Sequence, residues 1–244
     1  MFRRMSRLLV SFVMIMAGVV IGVGATSGTA HADECYTWSR TLSEGSSGGD
    51  VTQLQIRVAG WVSSGERLSY DGRFGARTTA AVKKFQSAYG LPADGVAGPQ
   101  TFSKIYALQD ADCTPVHFTY AELNRCNSDW SGGAVSAATA KANALKTMWK
   151  LEAMRHALGD VSVTVSSGFR SYACNNAVGG SSTSRHLYGD AADLTGSPTL
   201  CRLAQQARTH GFSEILGPGY PGHNDHTHVA LDPSPYWSAP TCGI

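Results

Sequence analysis

Hydrophobic positions between residues 43 and 108 recur at steps of three and four residues, which is the period of an amphipathic helix. The pattern predicts helix, turn, helix, turn, helix. Asp50 is expected to cap the first helix, and the second is expected to start near Thr78. The apolar positions on the buried faces of these two helices are Val51, Leu54, Val58, Val82, Phe85 and Tyr89. We therefore predict a small all-α domain of three helices within residues 33–113.

Two turns in this domain have matching sequences. Residues 71–78 read D-G-R-F-G-A-R-T, and residues 94–101 read D-G-V-A-G-P-Q-T. Each supplies an Asp-Gly pair for a tight turn, a second glycine, and a threonine, Thr78 or Thr101, that can cap the next helix. By itself the repeat indicates a helical domain and no particular chemistry.

The second half of the chain has a different pattern. One long helix is predicted over 136–158, and valines at 161, 163 and 165 alternate with polar residues, which predicts a strand leading into Ser167–Arg170. A helix at 199–209 and strands at 213–216 and 226–231 complete an α+β domain with an antiparallel sheet. This domain is placed at 134–244, and residues 114–133, which are rich in Ser, Gly and Asn, are expected to be a linker.

The first 32 residues have the order of a signal peptide. Three arginines lie within the first seven residues, an apolar run covers residues 8–23, and Ala30-His31-Ala32 has the small-x-small form of a cleavage site. The run is shorter than the roughly 20 residues of a membrane span, so cleavage is favoured over a permanent membrane anchor. We expect a secreted protein that acts outside the cell or in the cell wall. The Arg3-Arg4 pair leaves the export route open.

Charge argues against a nucleic-acid partner. Cleavage after Ala32 would remove three of the 20 basic residues and none of the 18 acidic ones, so the positive balance belongs to the leader. No basic stretch with interleaved aromatic residues remains, and nucleic acid is therefore not an expected partner. The rest of the chain is long enough for two small domains, and we expect it to be a monomer.

All six cysteines follow the leader, and an even number in an exported chain indicates three disulfides. Cys35 and Cys113 lie immediately outside the helical domain and could tie its ends together. The remaining four cysteines are paired by the same reasoning. The predicted pairs are Cys35–Cys113, Cys126–Cys174 and Cys201–Cys242.

Two polar clusters stand out in the second domain. Residues 184–193 read S-R-H-L-Y-G-D-A-A-D, and residues 223–228 read H-N-D-H-T-H. A catalytic zinc site needs neutral imidazoles and a carboxylate and leaves one position for water. His186, Asp193 and His228 could supply that set.

Spacing alone leaves the set open. His226 and His228 share one face if they lie in a strand, so both could approach a metal. Solvated surface histidines and an aspartate that caps a turn would give the same sequence. No H-E-x-x-H helix is present to decide the question.

Together, the two clusters resemble the paired signature of the zinc D-Ala-D-Ala peptidases. The match is S-x-H-x-x-G-x-A-x-D at 184–193, with all five defined positions present, followed by D-x-x-H at 225–228. This family includes the D-alanyl-D-alanine dipeptidases of vancomycin resistance and shares its fold with the zinc domain of hedgehog proteins. The whole mature chain is similar to secreted zinc D-Ala-D-Ala carboxypeptidases of the Streptomyces type.

The resemblance implies one Zn²⁺ per chain, bound by His186, Asp193 and His228. It also implies Asp225 as the general base, where many members have Glu. Arg170, just after the predicted strand, matches the arginine that holds the terminal carboxylate of the substrate.

The position of a further histidine in the second cluster predicts a role for it. His223 precedes Asp225 by two residues and could donate a hydrogen bond to the developing oxyanion. His226 is expected to order the surroundings of Asp225.

The first domain carries a resemblance of its own. The D-G-x-x-G-x-x-T turns, with a V-x-x-F-Q helix between them, resemble the peptidoglycan-binding domain of wall hydrolases. This implies the wall polymer as a partner, and tethering to it would raise the local substrate concentration. A purely structural role for the domain stays open.

The expected function is therefore zinc D,D-carboxypeptidase action on peptidoglycan stem peptides. Alternatives are a D,D-endopeptidase that cuts cross-links, a peptidase for an L-Ala-D-Glu bond, and a zinc-containing wall-binding protein without turnover. A serine mechanism is disfavoured because Ser103, followed by Lys104, lacks the partners it needs.

Overall fold

A computed structural model describes residues 35–244. The predicted signal peptide at 1–32 lies outside these described residues. Among them, none of the helices combines the length and the apolar character that crossing a bilayer requires.

The first domain has the three predicted helices. They are α1 (Gly49–Val58), α2 (Ala76–Ala88) and α3 (Pro99–Ala107). The predicted faces are buried, since Val51, Leu54 and Phe85 are at most 1% exposed. Periodicity was therefore a sufficient guide to these elements.

The predicted helix caps were wrong. Glycines at positions 48, 75 and 98 occupy the N-cap positions of α1, α2 and α3. Asp50 lies in the first turn of α1, where it pairs with Arg40 at 2.7 Å. Thr78 and Thr101 lie inside α2 and α3, because each threonine is used by the turn that precedes its helix.

A glutamine explains why the two turns repeat. Gln55 Nε2 donates to Asp71 Oδ1 at 2.9 Å, to the Arg73 carbonyl at 3.0 Å and to Thr78 Oγ1 at 3.3 Å. The Gly72 N–H donates back to Gln55 Oε1. The second turn has the same four bonds, made by Gln86 with Asp94, Val96, Thr101 and Gly95. Each buried amide thus pins one turn to the helix on either side.

The second domain is α+β, as predicted. Its helices are α4 (Tyr120–Leu123), α5 (Ala137–Ala157), α6 (Tyr172–Ala177) and α7 (Leu200–Thr209). Its strands are β1 (Thr164–Ser167), β2 (Ala191–Thr195), β3 (Glu214–Leu216), β4 (Thr227–Ala230) and β5 (Tyr236–Ser238). Short 3-10 helices cover Arg185–Tyr188 and Pro240–Cys242. The sheet has the order β1-β2-β4-β3-β5 and is antiparallel except for the β3–β5 pair.

Two segments differ from the pattern-based expectation. The first strand starts at Thr164, three residues later than Val161, because Asp160 turns the chain with φ at 61° and pairing begins only at Thr164 opposite Thr195. Residues 114–133 also contain more structure than a linker would. They include α4, and Phe118, Leu123 and Trp130 are buried in the core of the second domain.

Helix α5 joins the two hydrophobic cores. Trp149 packs into the core of the first domain, whereas Met148 packs into that of the second. The next residue, Lys150, is 2% exposed and donates to the carbonyl of Ala59, just after α1. All three predicted disulfides are confirmed: Cys35–Cys113, Cys126–Cys174 and Cys201–Cys242.

Candidate active site

Two neighbouring strands place a carboxylate beside an imidazole. Strands β2 and β4 pair so that Asp193 lies directly opposite His228. Side chains at opposed positions of an antiparallel pair lie on the same face of the sheet. The register thus joins the two sequence clusters at one point, although 35 positions separate these residues.

The third member comes from the 3-10 helix before β2. His186 lies in this helix, which ends at Gly189 with φ of 75°. A Cβ at Gly189 would come within 2.4 Å of the Ala140 carbonyl oxygen on α5. Only glycine allows both the left-handed backbone and this close approach, so the glycine of the motif brings His186 back over the sheet.

The donor atoms of His186, Asp193 and His228 converge. His186 Nε2 and His228 Nδ1 lie 3.0 and 2.9 Å from Asp193 Oδ1, and 3.1 Å from each other. All three residues are at most 5% exposed, and together they form a group that could hold a metal ion. Zinc bound tetrahedrally to nitrogen and oxygen needs donors roughly 3.3 Å apart. The donor types and their separations fit one zinc ion.

Each of these three side chains also has an outer partner. His186 Nδ1 donates to the Gly168 carbonyl at 2.5 Å, which leaves its Nε2 lone pair free. Arg170 Nη2 donates to Asp193 Oδ2, also at 2.5 Å. His228 Nε2 faces Glu214 Oε2 at 3.6 Å across the β3–β4 pair. Such partners fix the orientation of metal-ligating side chains.

The charges of the site favour a cation. Burial by itself would raise the pKa of Asp193, but His186 and His228 hold it far below its usual range. Burial lowers the pKa of His186. Burial also opposes a charge on His228, yet Asp193 and Glu214 outweigh it and raise the pKa of His228. Positive charge is therefore stabilised where the donor atoms meet, and a metal ion can take the place of the proton.

The other predicted site residues surround this group. Asp225 lies just before β4 with its side chain 88% exposed, and its Oδ1 accepts a 2.7 Å hydrogen bond from His226 Nδ1. That bond lowers the pKa of Asp225. His226 Nε2 is 3.7 Å from Asp193 Oδ1, so His226 lies at the edge of the group. The His223 ring is 4.8 Å from the His226 ring, and its Nδ1 donates to the Pro221 carbonyl.

Sequence reasoning missed Glu214. Its Oε2 is buried and makes no hydrogen bond within 3.5 Å among the described residues. A single carboxylate in a three-residue strand carries no motif. The sequence around Glu214 shows only the alternation of side chains along a strand. This alternation does not indicate which other strand lies beside it.

Two family models match the chain. The model described as "Peptidase M15" matches residues 116–230, and "Putative peptidoglycan binding domain" matches residues 47–105. The first range contains the whole metal-binding group, and the second contains the two glutamine-pinned turns.

Individual proteins match either the whole chain or part of it. The chain is 68% identical to "Zinc D-Ala-D-Ala carboxypeptidase" of Streptomyces albus G over 233 residues, which cover 92% of this chain and 91% of that one. An uncharacterized protein in the bpoA1 3' region of Kitasatospora aureofaciens is 35% identical over 41% of this chain and 86% of its own. The SleB N-terminal domain structure is 34% identical over 30% of this chain and 96% of its own, with a TM-score of 0.27. The identity to the Streptomyces albus G enzyme runs through both domains, and this chain belongs to the peptidase M15 family.

Proposed function

We propose that this protein is a secreted zinc D-Ala-D-Ala carboxypeptidase that removes the terminal D-Ala from peptidoglycan stem peptides. The observation that carries the proposal is the buried His186, Asp193 and His228 group, whose donor atoms meet at one point. The 68% identical relative is named for this activity, and its similarity covers both domains.

His186, Asp193 and His228 are the proposed ligands of one zinc ion. When bound there, zinc supplies Lewis acidity toward the scissile carbonyl and lowers the pKa of water. The protein contributes two neutral imidazoles and one carboxylate, so the site keeps a net positive charge. Gly168, Arg170 and Glu214 hold these ligands in place through their outer atoms.

Arg170 is the proposed anchor for the substrate's terminal carboxylate. Its Nε donates to Ser167 Oγ at 2.9 Å and its Nη2 to Asp193, and both bonds fix the plane of the guanidinium. Its Nη1 makes no hydrogen bond among the described residues and can meet a carboxylate. A carboxylate held there would lie close to the metal ligands, as the terminal D-Ala of the substrate must.

Asp225 is the proposed general base. It is exposed, lies three residues before His228, and is joined by a hydrogen bond to His226, whose other nitrogen faces Asp193. The hydrogen bond from His226 lowers the pKa of Asp225, so its carboxyl group is ionised at neutral pH, the form in which a general base accepts a proton. In the second half of the reaction the same carboxyl would return the proton to the departing amine.

His223 is proposed to stabilise the oxyanion. Because Nδ1 donates to the Pro221 carbonyl, neutral His223 presents Nε2 as an acceptor. Burial also lowers the pKa of His223. Donation to the oxyanion therefore requires a second proton, which the developing negative charge would favour.

Asp225→Asn tests the function and the base together. We expect the variant to bind zinc as the wild type does, because Asp225 is not a proposed ligand, and to lose release of D-Ala from a pentapeptide ending in D-Ala-D-Ala. Zinc content by atomic absorption and D-Ala by chromatography are the two measurements. Asp129→Asn, which changes an exposed carboxylate outside the site, is the matched control.

The products released from a cross-linked wall fragment distinguish a carboxypeptidase from an endopeptidase. A cross-linked wall fragment should yield free D-Ala, whereas uncoupled stems without D-Ala would identify an endopeptidase. Full activity of the wild type in excess chelator would contradict the zinc proposal, and full activity of Asp225→Asn would contradict only the assigned base.

A further inference from the structure

A cavity of about 300 Å³ lies between the two domains, away from the proposed zinc ligands. The first domain contributes Arg67, Tyr70 and Arg77 to its wall, and the second contributes Lys150 and Ser213. His186, Asp193 and His228 do not line it. The cavity has room for a small organic ion as well as for water.

Lys150 is a buried cation without a carboxylate partner among the described residues. It is 2% exposed, and its Nζ donates to the carbonyls of Gly211 at 2.9 Å and Ala59 at 3.3 Å. An ammonium group has three donors, so one N–H remains for another acceptor. Burial, with a smaller contribution from Arg67, lowers the pKa of Lys150 to about 7. Both observations describe a lysine that a negative charge would stabilise.

A second unmatched donor lines the same cavity. The Tyr70 hydroxyl is buried and has no hydrogen-bond partner among the described residues. A buried hydroxyl without a partner is destabilising, because it has lost its hydrogen bonds to water and gained none in the protein. The hydroxyl oxygen itself does not reach the cavity surface, so a ligand oxygen would remove that cost once the Tyr70 side chain turns toward the cavity.

The remaining charges in the wall have the same sign. Arg67 donates through Nη1 to the carbonyls of Asp232 and Pro233, and Arg77 forms no ion pair among the described residues. None of the described residues that line the cavity is acidic. Two nearby carboxylates, those of Asp190 and Asp232, face Arg185 instead.

We propose that this cavity binds an oxyanion, a carboxylate or a phosphate, through Lys150, Tyr70 and the two arginines. These side chains offer ammonium, hydroxyl and guanidinium donors, the groups that proteins use for both anions. A ligand there would contact both domains and would stabilise their junction by mass action. The proposal is independent of the proposed peptidase function.

Calorimetric titration of the zinc-loaded mature protein tests it, with inorganic phosphate and glutarate as separate probes at constant ionic strength. At least one probe should bind and raise Tm. Lys150→Met should weaken binding about tenfold or more, because it removes a charged donor. Tyr70→Phe removes only the hydroxyl and should weaken binding several-fold. Arg202→Gln, an exposed arginine on α7, should have no effect.

Each result of these titrations supports or overturns the proposed anion site. Binding of phosphate alone, or of glutarate alone, identifies the group that the cavity selects. Absence of binding by both probes overturns the proposal. Equal binding by wild type, Lys150→Met and Tyr70→Phe also overturns it, because that result places the ions elsewhere, for example on the zinc. If Lys150→Met fails to fold, Tyr70→Phe and Arg67→Gln decide the question, and wild-type affinity in both rejects the cavity.

Discussion

At the scale of single residues, the site depends on atoms that do not meet the metal. His186 and His228 each use one ring nitrogen toward the shared point and the other toward an oxygen, from Gly168 and Glu214 respectively. The backbone carbonyl cannot be changed by mutation, but Glu214 can. It therefore offers a direct test of how far outer partners determine metal binding.

Replacing Glu214 should weaken zinc binding while leaving all three proposed ligands in place. We expect Glu214→Ala to raise the zinc Kd by about 10–100-fold, the usual effect of losing an outer carboxylate, because His228 loses the group that orients its ring. Glu214→Gln keeps the shape and one acceptor oxygen and should lose less. Competition with a chromogenic chelator gives the Kd values.

The control for this experiment is Glu66→Gln, an exposed carboxylate in the first domain. Its zinc Kd should equal that of the wild type. An unchanged Kd in Glu214→Ala would show that β4 alone orients His228 and would remove Glu214 from the account of the site.

At the scale of elements, the sequence was informative wherever a pattern ran over several turns. The long helix was predicted at 136–158 and observed at Ala137–Ala157 because its start and stop are both encoded locally. The four-residue helix α4 has too few residues to show a period. The cap predictions failed because each helix begins earlier than expected. A glycine occupies the N-cap position of α1, α2 and α3, and the residues predicted as caps lie inside the helices.

The same limit applies to the site. The two motifs identified the residues that meet, but the pairing of Asp193 with His228 is a register between strands far apart in the chain. Local sequence does not encode such a register. For the same reason Glu214, one strand further across the sheet, was missed, although β3 itself was predicted.

The two glutamine-pinned turns give an element-scale prediction. Gln55→Ala and Gln86→Ala should each lower the free energy of unfolding by about 1–3 kcal/mol, because each leaves a buried glycine N–H without a partner and removes the hydrogen bonds that the amide donates. The two losses should be similar, since the networks are the same. Urea unfolding followed by fluorescence measures them, and exposed Gln100→Ala should change little. A loss in only one variant would mean that the repeated turns are not energetically equivalent.

At the scale of the whole molecule, the two predicted domains are less separate than their sequences suggest. Helix α5 belongs to the second domain, yet its Trp149 completes the core of the first and lies 5.8 Å from the Arg57 guanidinium. Lys150, next along the helix, bonds to backbone on both sides of the junction. The hydrophobic pattern did not indicate this, because a helix with apolar residues on two faces shows no clear one-sided repeat.

Lys150 makes the stability of this junction depend on pH. Its folded pKa, about 7, is below the unfolded value of about 10.4. Below pH 7 the lysine is charged in both states, and the cost of its burial is fully present. As pH rises from 7 toward 10, the unfolded state binds more protons than the folded state, so this group increases stability by up to about 1.4 kcal/mol per pH unit.

Lys150→Met should remove that dependence. Urea unfolding from pH 7 to 9 in a buffer without phosphate or carboxylate should therefore give a wild-type-minus-variant difference that rises with pH. His210, whose pKa is lowered by burial and by Lys150, titrates below this range, and the groups that Lys150 does not influence cancel in the difference. Lys83→Met, an exposed lysine of α2, should give a flat difference throughout. Parallel curves for wild type and Lys150→Met would mean that Lys150 keeps its proton in the folded protein, so that the two backbone carbonyls solvate the buried ammonium as well as water does.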